Sequence, residues 1–167
     1  VADEVGGHTA PTYFVGDASS LWRSERDSAG AITWTKIVPG TGATVAYKFF
    51  VNPYDATDIY IVDADAVRRS TDGGATWKPD TALDSAVTDG GAFSYKCGTG
   101  TLDYDNCVLT EMIFDRQSSA TRFAAGIAGV FSSADGKTWS RLVDTRALPG
   151  RPSGLYYNAI TNSANPE

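Results

Sequence analysis

Apolar residues along this chain fall into short runs broken by glycine- and aspartate-rich stretches, and the runs carry the beat of strands rather than helices. Residues 59–62, Ile-Tyr-Ile-Val, read as a buried strand, and residues 66–70 as a more exposed one. Residues 48–51 precede them as a further strand before Asn52-Pro53, and Thr76-Trp77 opens a fourth. The same succession returns at 111–114, 122–126, 130–133 and 138–142. Near the start it appears without its first member, at 12–16, 20–24 and 33–37. The β-branched and aromatic content of these runs suits strands.

A turn motif punctuates each unit between its last two strands. It is Ser70-Thr71-Asp72-Gly73-Gly74-Ala75-Thr76-Trp77 in one copy and Ser133-Ala134-Asp135-Gly136-Lys137-Thr138-Trp139 in another. A looser copy runs from Ser24 and Asp27 to Thr33-Trp34. An aspartate carboxylate accepts bonds from backbone N–H groups just downstream, and glycine supplies the positive φ of a tight reversal. Ser70, Asp72, Gly74, Thr76, Trp77, Ser133, Asp135, Gly136, Thr138 and Trp139 are therefore read as structural, and Asp72 and Asp135 as turn-stabilising rather than catalytic. Trp34, Trp77 and Trp139 are expected in the core, where a large indole packs between sheets. Four strands per repeat make a blade, so the expected fold is all-β: about three four-stranded antiparallel blades of a partial or open β-propeller, with little or no helix.

On these residues the chain resembles the Asp-box, or BNR, repeat family. Residues 51–53, 58–60 and 69–77 look most like its xyloglucanase and sortilin branches. The resemblance implies a propeller fold and an Asp-turn placed away from any substrate face. It implies two functions: a carbohydrate-active or carbohydrate-binding propeller of the glycoside-hydrolase kind, or a non-catalytic interaction propeller of the sortilin or assembly-factor kind. The arginine motif of sialidases and the catalytic aspartate motif of xyloglucanases are not found in these residues. No complete active site is expected within the chain.

The blades are placed at approximately 12–38, 47–80 and 110–143 of one unit spanning 1–167, with 81–109 as an inserted loop. Residues 154–160 match the first strand of a further blade. The chain is accordingly expected either to be a segment of a larger propeller or to associate with another copy of itself, since an open sheet edge invites pairing.

A net charge of −6 argues against a nucleic-acid partner, which requires clustered cations. No apolar run is long enough to cross a membrane as a helix. With His8 the only histidine, a catalytic triad is nearly excluded and no metal site is expected. No phosphate-binding glycine loop opens a helix, and no cofactor is expected. Cys97 and Cys107 flank a turn-rich loop, so a disulfide is expected there, with two free thiols as the alternative; the bridge would suit a secreted, extracellular protein. The long stretch 78–109 carries Asp80, Asp84, Asp89, Tyr95, Asp103, Tyr104 and Asp105. Carboxylates bond sugar hydroxyls and rings stack on pyranose faces. The face opposite the Asp-turns, with Asp17, Asp63, Asp65, Asp103, Tyr104, Asp105 and Gly129, is thus the candidate ligand face, and a polysaccharide or glycan the candidate ligand.

Overall fold

The computed structural model describes residues 12–16, 20–37, 48–63, 66–93, 108–118 and 120–144. These residues form three antiparallel sheets whose strands follow one another in chain order. The first holds β1 (Phe14–Gly16), β2 (Leu21–Arg26) and β3 (Ile32–Lys36). The second holds β4 (Lys48–Asn52), β5 (Asp55–Val62), β6 (Val67–Ser70) and β7 (Lys78–Pro79). The third holds β8 (Glu111–Phe114), β9 (Arg122–Gly126), β10 (Gly129–Ser133) and β11 (Ser140–Asp144). One short helix, α1 (Thr81–Val87), follows β7. Among the described residues no sheet closes into a barrel, and the stacked meanders are those of a partial propeller.

Strand β5 explains how the sheets stack. Successive side chains of a strand point to opposite faces. Ile59 and Ile61 join Leu21 and Ile37 of the first sheet in one buried cluster. Tyr60 and Val62 join Met112, Phe114, Ala124 and Phe131 of the third in another, with Leu83 and Val87 of α1. Both faces of the second sheet are covered, which is why its central strand is a continuous apolar run rather than an alternating one.

The last strand of each unit begins later than the sequence reading places it. β7 starts at Lys78 and β11 at Ser140, because Thr76 and Thr138 belong to the turns and bond their aspartates. Residues 81–87 of the expected loop form α1, started by the Asp80 carboxylate accepting from Leu83 N at 3.0 Å. Trp77 and Trp139 are half-buried, whereas Trp34 is 46% exposed, which corrects its placement in the core. Its strand β3 is exposed along its whole length, with no described sheet over the Trp34 side. The expected strand at 154–160, Cys97 and Cys107 lie outside the described residues.

Candidate functional site

At one end of the sheets the Asp-turns are closed by their own hydrogen bonds. Asp72 Oδ1 accepts from Thr76 N at 2.9 Å, and Oδ2 from Thr76 Oγ1 at 2.5 Å. Ser70 Oγ donates to Asp72 Oδ1 and accepts from Gly74 N, both at 2.8 Å. In the third sheet Asp135 Oδ1 accepts from Lys137 N and Thr138 N, both at 2.8 Å, while Ser133 Oγ accepts from Gly136 N. The Thr76 hydroxyl and amide, then the Ser70 hydroxyl, hold the Asp72 carboxyl at about 2. The Thr138 and Lys137 amides hold Asp135 at about 2. Both groups are permanently ionised at neutral pH and committed to the turn, so neither can act as a general acid there. Gly74 has a φ of +93° and its Cα faces Ile37, leaving no room for a Cβ. Trp77 Nε1 donates to Ile37 O and Gly74 O, each at 3.1 Å, pinning the turn to the preceding sheet.

The opposite end carries the described part of the expected ligand face. Asp63 follows β5 directly and is 2% exposed, with its Oδ2 accepting from Arg68 Nε at 2.8 Å. Asp84 Oδ1 accepts from Val67 N at 3.2 Å. Lys48 Nζ donates to Thr110 O at 3.0 Å, tying the second sheet to the third. Arg141 of β11 pairs with Asp89 beyond α1 and with Asp144 on its own strand. Burial pushes the Asp80 carboxyl up, against the Leu83 amide and the nearby Arg69 and Arg122. Gly129 closes the β9–β10 turn with a φ of +149°, where a Cβ would strike Val143 O. Asp17, Asp65, Asp103, Tyr104 and Asp105 lie outside the described residues. Of the face named from sequence, the structure therefore places Asp63 and Gly129. Asp63 serves an ion pair within its own sheet.

A second polar constellation was not singled out in the sequence. Asp58 Oδ1 accepts from Arg69 Nε at 2.7 Å and Oδ2 from Arg122 Nη1 at 2.8 Å. Arg122 also bonds the Tyr60 hydroxyl and lies over the rings of Tyr60 and Phe114. Burial, then the Asp58 charge, pushes the Tyr60 phenol well up, against Arg122 and Arg69. The side chains of Arg122 and Asp58 are 4% and 6% exposed, so the cluster is a buried joint between sheets. The only signal in the sequence was charge inside strand-like runs. Arg69 Nη1 further donates to Gly136 O at 2.9 Å, and Arg23 Nη1 does the same to Gly73 O at 2.7 Å. Arg23, Arg68, Arg69 and Arg122 thus each bond an acceptor within the protein.

Among the described residues no group of His, Cys, Asp or Glu is arranged to hold a metal ion, and no helix is long and apolar enough to cross a membrane. No family model matches the sequence, and no curated protein matches it. Among solved structures, the chain is similar to the GH74 xyloglucanase from Xanthomonas campestris, with a TM-score of 0.45 and 19% identity over 85% of this chain and 21% of that one. It is also similar to an ancestral GH74 enzyme, with a TM-score of 0.33 and 12% identity over 78% of this chain and 23% of that one. The chain spans 21% and 23% of the length of these two structures.

Proposed function

We propose that this chain is the carbohydrate-binding part of a secreted Asp-box propeller of the glycoside-hydrolase-like kind, without a complete catalytic pair of its own. The observation that carries this reading is the division between the two ends of the sheets. Asp72 and Asp135 are held inside their turns at one end, which leaves the other end for ligand. That end carries Lys48, Glu111, Arg68 over the buried Asp63, and the Asp89–Arg141 pair, a mixed set of donors and acceptors suited to sugar hydroxyls. The stretch with Asp103, Tyr104 and Asp105 would add a ring and two carboxylates, held by a Cys97–Cys107 bridge in an oxidising compartment.

The test is a panel of soluble polysaccharides assayed for binding and for release of reducing ends. Binding to at least one glucan-type polymer without new reducing ends is expected, with loss of binding in the Arg68→Ala variant. Failure to bind any member overturns the reading. One observation favours a second reading, a protein-interaction propeller: Asp63 and Asp89 already have arginine partners. Polysaccharide binding unchanged in Arg68→Ala would move the site off this face.

A further inference from the structure

The Asp-turn of the third sheet is one residue shorter than that of the second, and its tryptophan lacks the acceptors that its counterpart has. In the second sheet's turn, Gly73 O accepts from Arg23 Nη1 at 2.7 Å and Gly74 O from Trp77 Nε1 at 3.1 Å. Gly136 stands in the place of Gly74, since each amide bonds the serine hydroxyl that opens its turn, at 2.8 Å. In the shorter turn Arg69 Nη1 takes the Gly136 carbonyl, at 2.9 Å. The other acceptor of Trp77 is Ile37 O, and Asp80 holds the position equivalent to Ile37: their amides bond Leu21 O and Val67 O, the first residues of β2 and β6. Asp80 O accepts from Asp84 N at 2.8 Å. Trp139 Nε1 is left buried without a partner among the described residues, which is costly for an N–H.

Of the two donors on these carbonyls, the helix amide is the one free to let go. Arg69 is tethered through Nε to Asp58 at 2.7 Å. Helix α1 is only seven residues long, too short to stand without its packing. The chain leaves it through Asp89, Gly90 and Gly91, with φ of +53°, +68° and +93°, and two of these three are glycines that change conformation at little cost. We propose that the first turn of α1 is a latch with two donors for one carbonyl: Asp80 O is held by the Asp84 amide in a closed form and by the Trp139 indole in an open form, in which that turn is unwound.

The joint between the first and second sheets shows the open form's bond already made, from Trp77 Nε1 to Ile37 O at 3.1 Å. The closed form carries two further bonds. Asp80 Oδ1 accepts from Leu83 N at 3.0 Å, and Asp84 Oδ1 from Val67 N at 3.2 Å. Opening therefore loosens the start of β6, next to the turn that Asp63 N closes on Ala66 O. The latch thus links the tryptophan of the third sheet to the β5–β6 turn of the second. Such coupling is reciprocal, so whatever fixes the β5–β6 turn favours the closed form.

Hydrogen exchange of the isotope-labelled full chain, read by NMR at the Asp84 amide, tests this. Trp139→Phe removes the open form's donor, so the Asp84 amide should exchange about fivefold more slowly, the factor that one hydrogen bond is worth. An indole that only packs against α1 would give faster exchange when removed. Equal or faster exchange therefore overturns the proposal. If Trp139→Phe loses its native fold, Asp84→Pro provides an independent measurement, because proline has no N–H to donate and opens the turn. The Trp139 indole N–H resonance should then move downfield, toward that of the hydrogen-bonded Trp77. An indole resonance that stays in place in Asp84→Pro overturns the proposal. So does one that moves in Arg69→Lys and not in Asp84→Pro, which would assign Gly136 O as the indole's alternative acceptor.

Discussion

The joint between the first and second sheets centres on apolar side chains, and the joint between the second and third is built around an ion pair, although the repeat makes them from equivalent positions. Ile59 pairs with Ser70 across the second sheet as Arg122 pairs with Ser133 across the third. Ile59 meets Leu21, Ile37 and Ile61. Arg122 meets Asp58, Tyr60 and Phe114. The repeat thus specifies where a side chain points, and the neighbour decides whether that side chain is an isoleucine or an arginine. A buried ion pair gains little over a well-packed apolar contact, yet breaking one half of it is costly. The two joints should therefore respond very differently to single and double changes.

The largest effect is expected at Asp58. Asp58→Ala removes the ion-pair partner of the buried Arg122 and takes a carboxylate from Arg69 as well. Loss of about 3–5 kcal/mol in urea unfolding is expected. The double variant Asp58→Ala with Arg122→Met should recover much of it, because no buried charge is then stranded. A double variant no more stable than Asp58→Ala alone would show that the ion pair itself holds the joint.

At the apolar joint, Ile59→Ala should cost about 3 kcal/mol through lost burial and the cavity left behind. No second substitution in the first sheet should restore it, since there is no opposing charge to remove. Recovery by a partner change would contradict the contrast between the joints.

A smaller difference is expected at the two turn tryptophans. Trp77 Nε1 donates to Ile37 O. Asp80 stands where Ile37 does, since both amides bond the strand residue at the matching place, Leu21 O and Val67 O. But Asp80 O accepts from Asp84 N of α1, and Trp139 Nε1 is buried without a partner among the described residues. The helix occupies the carbonyl that the indole would otherwise use. Trp77→Phe should therefore destabilise more than Trp139→Phe, by about 1 kcal/mol, the worth of one hydrogen bond. Equal losses in thermal or urea unfolding would mean that Trp139 has found another acceptor.

These contrasts also mark what could be read in the sequence. The stacking of sheets was legible because β5 is apolar at four consecutive positions and because the Ser–Asp turns recur with tryptophan after them. Helix α1 was missed: its seven residues carry only Leu83 and Val87 as buried apolar positions, too few to establish a helical period. Trp34 was misplaced because turn similarity says nothing of whether a sheet lies opposite. Asp63 was identified as a ligand-face residue from its position at a strand end, but its partner Arg68 is set by the β5–β6 register, which pattern alone does not supply. The Asp58–Arg69–Arg122 cluster needed two sheets brought together before it could be seen.

The smallest effect sought is electrostatic and belongs to the turns, where the two sheets agree. Asp72 and Asp135 have carboxyls lowered in the folded chain to about 2, from an ordinary 3.8. A group depressed on folding stabilises fully above its unfolded value and loses that contribution as pH falls through its folded value. Wild type should accordingly lead the Asp72→Asn and Asp135→Asn double variant at neutral pH, with the gap closing between about pH 4 and pH 2. Both carboxylates are exposed, so solvent screening keeps the gap small. Asparagine retains one acceptor oxygen for the turn amides, so the comparison reports the charge rather than the loss of the turn. Urea unfolding at a series of pH values measures it. A gap that stays constant down to pH 2 would mean that the turn amides favour the aspartate's shape and not its charge. A gap that closes for one single variant and not the other would show that the different bonds of the two turns, the Thr76 hydroxyl on Asp72 and the Lys137 amide on Asp135, set how strongly each holds its charge.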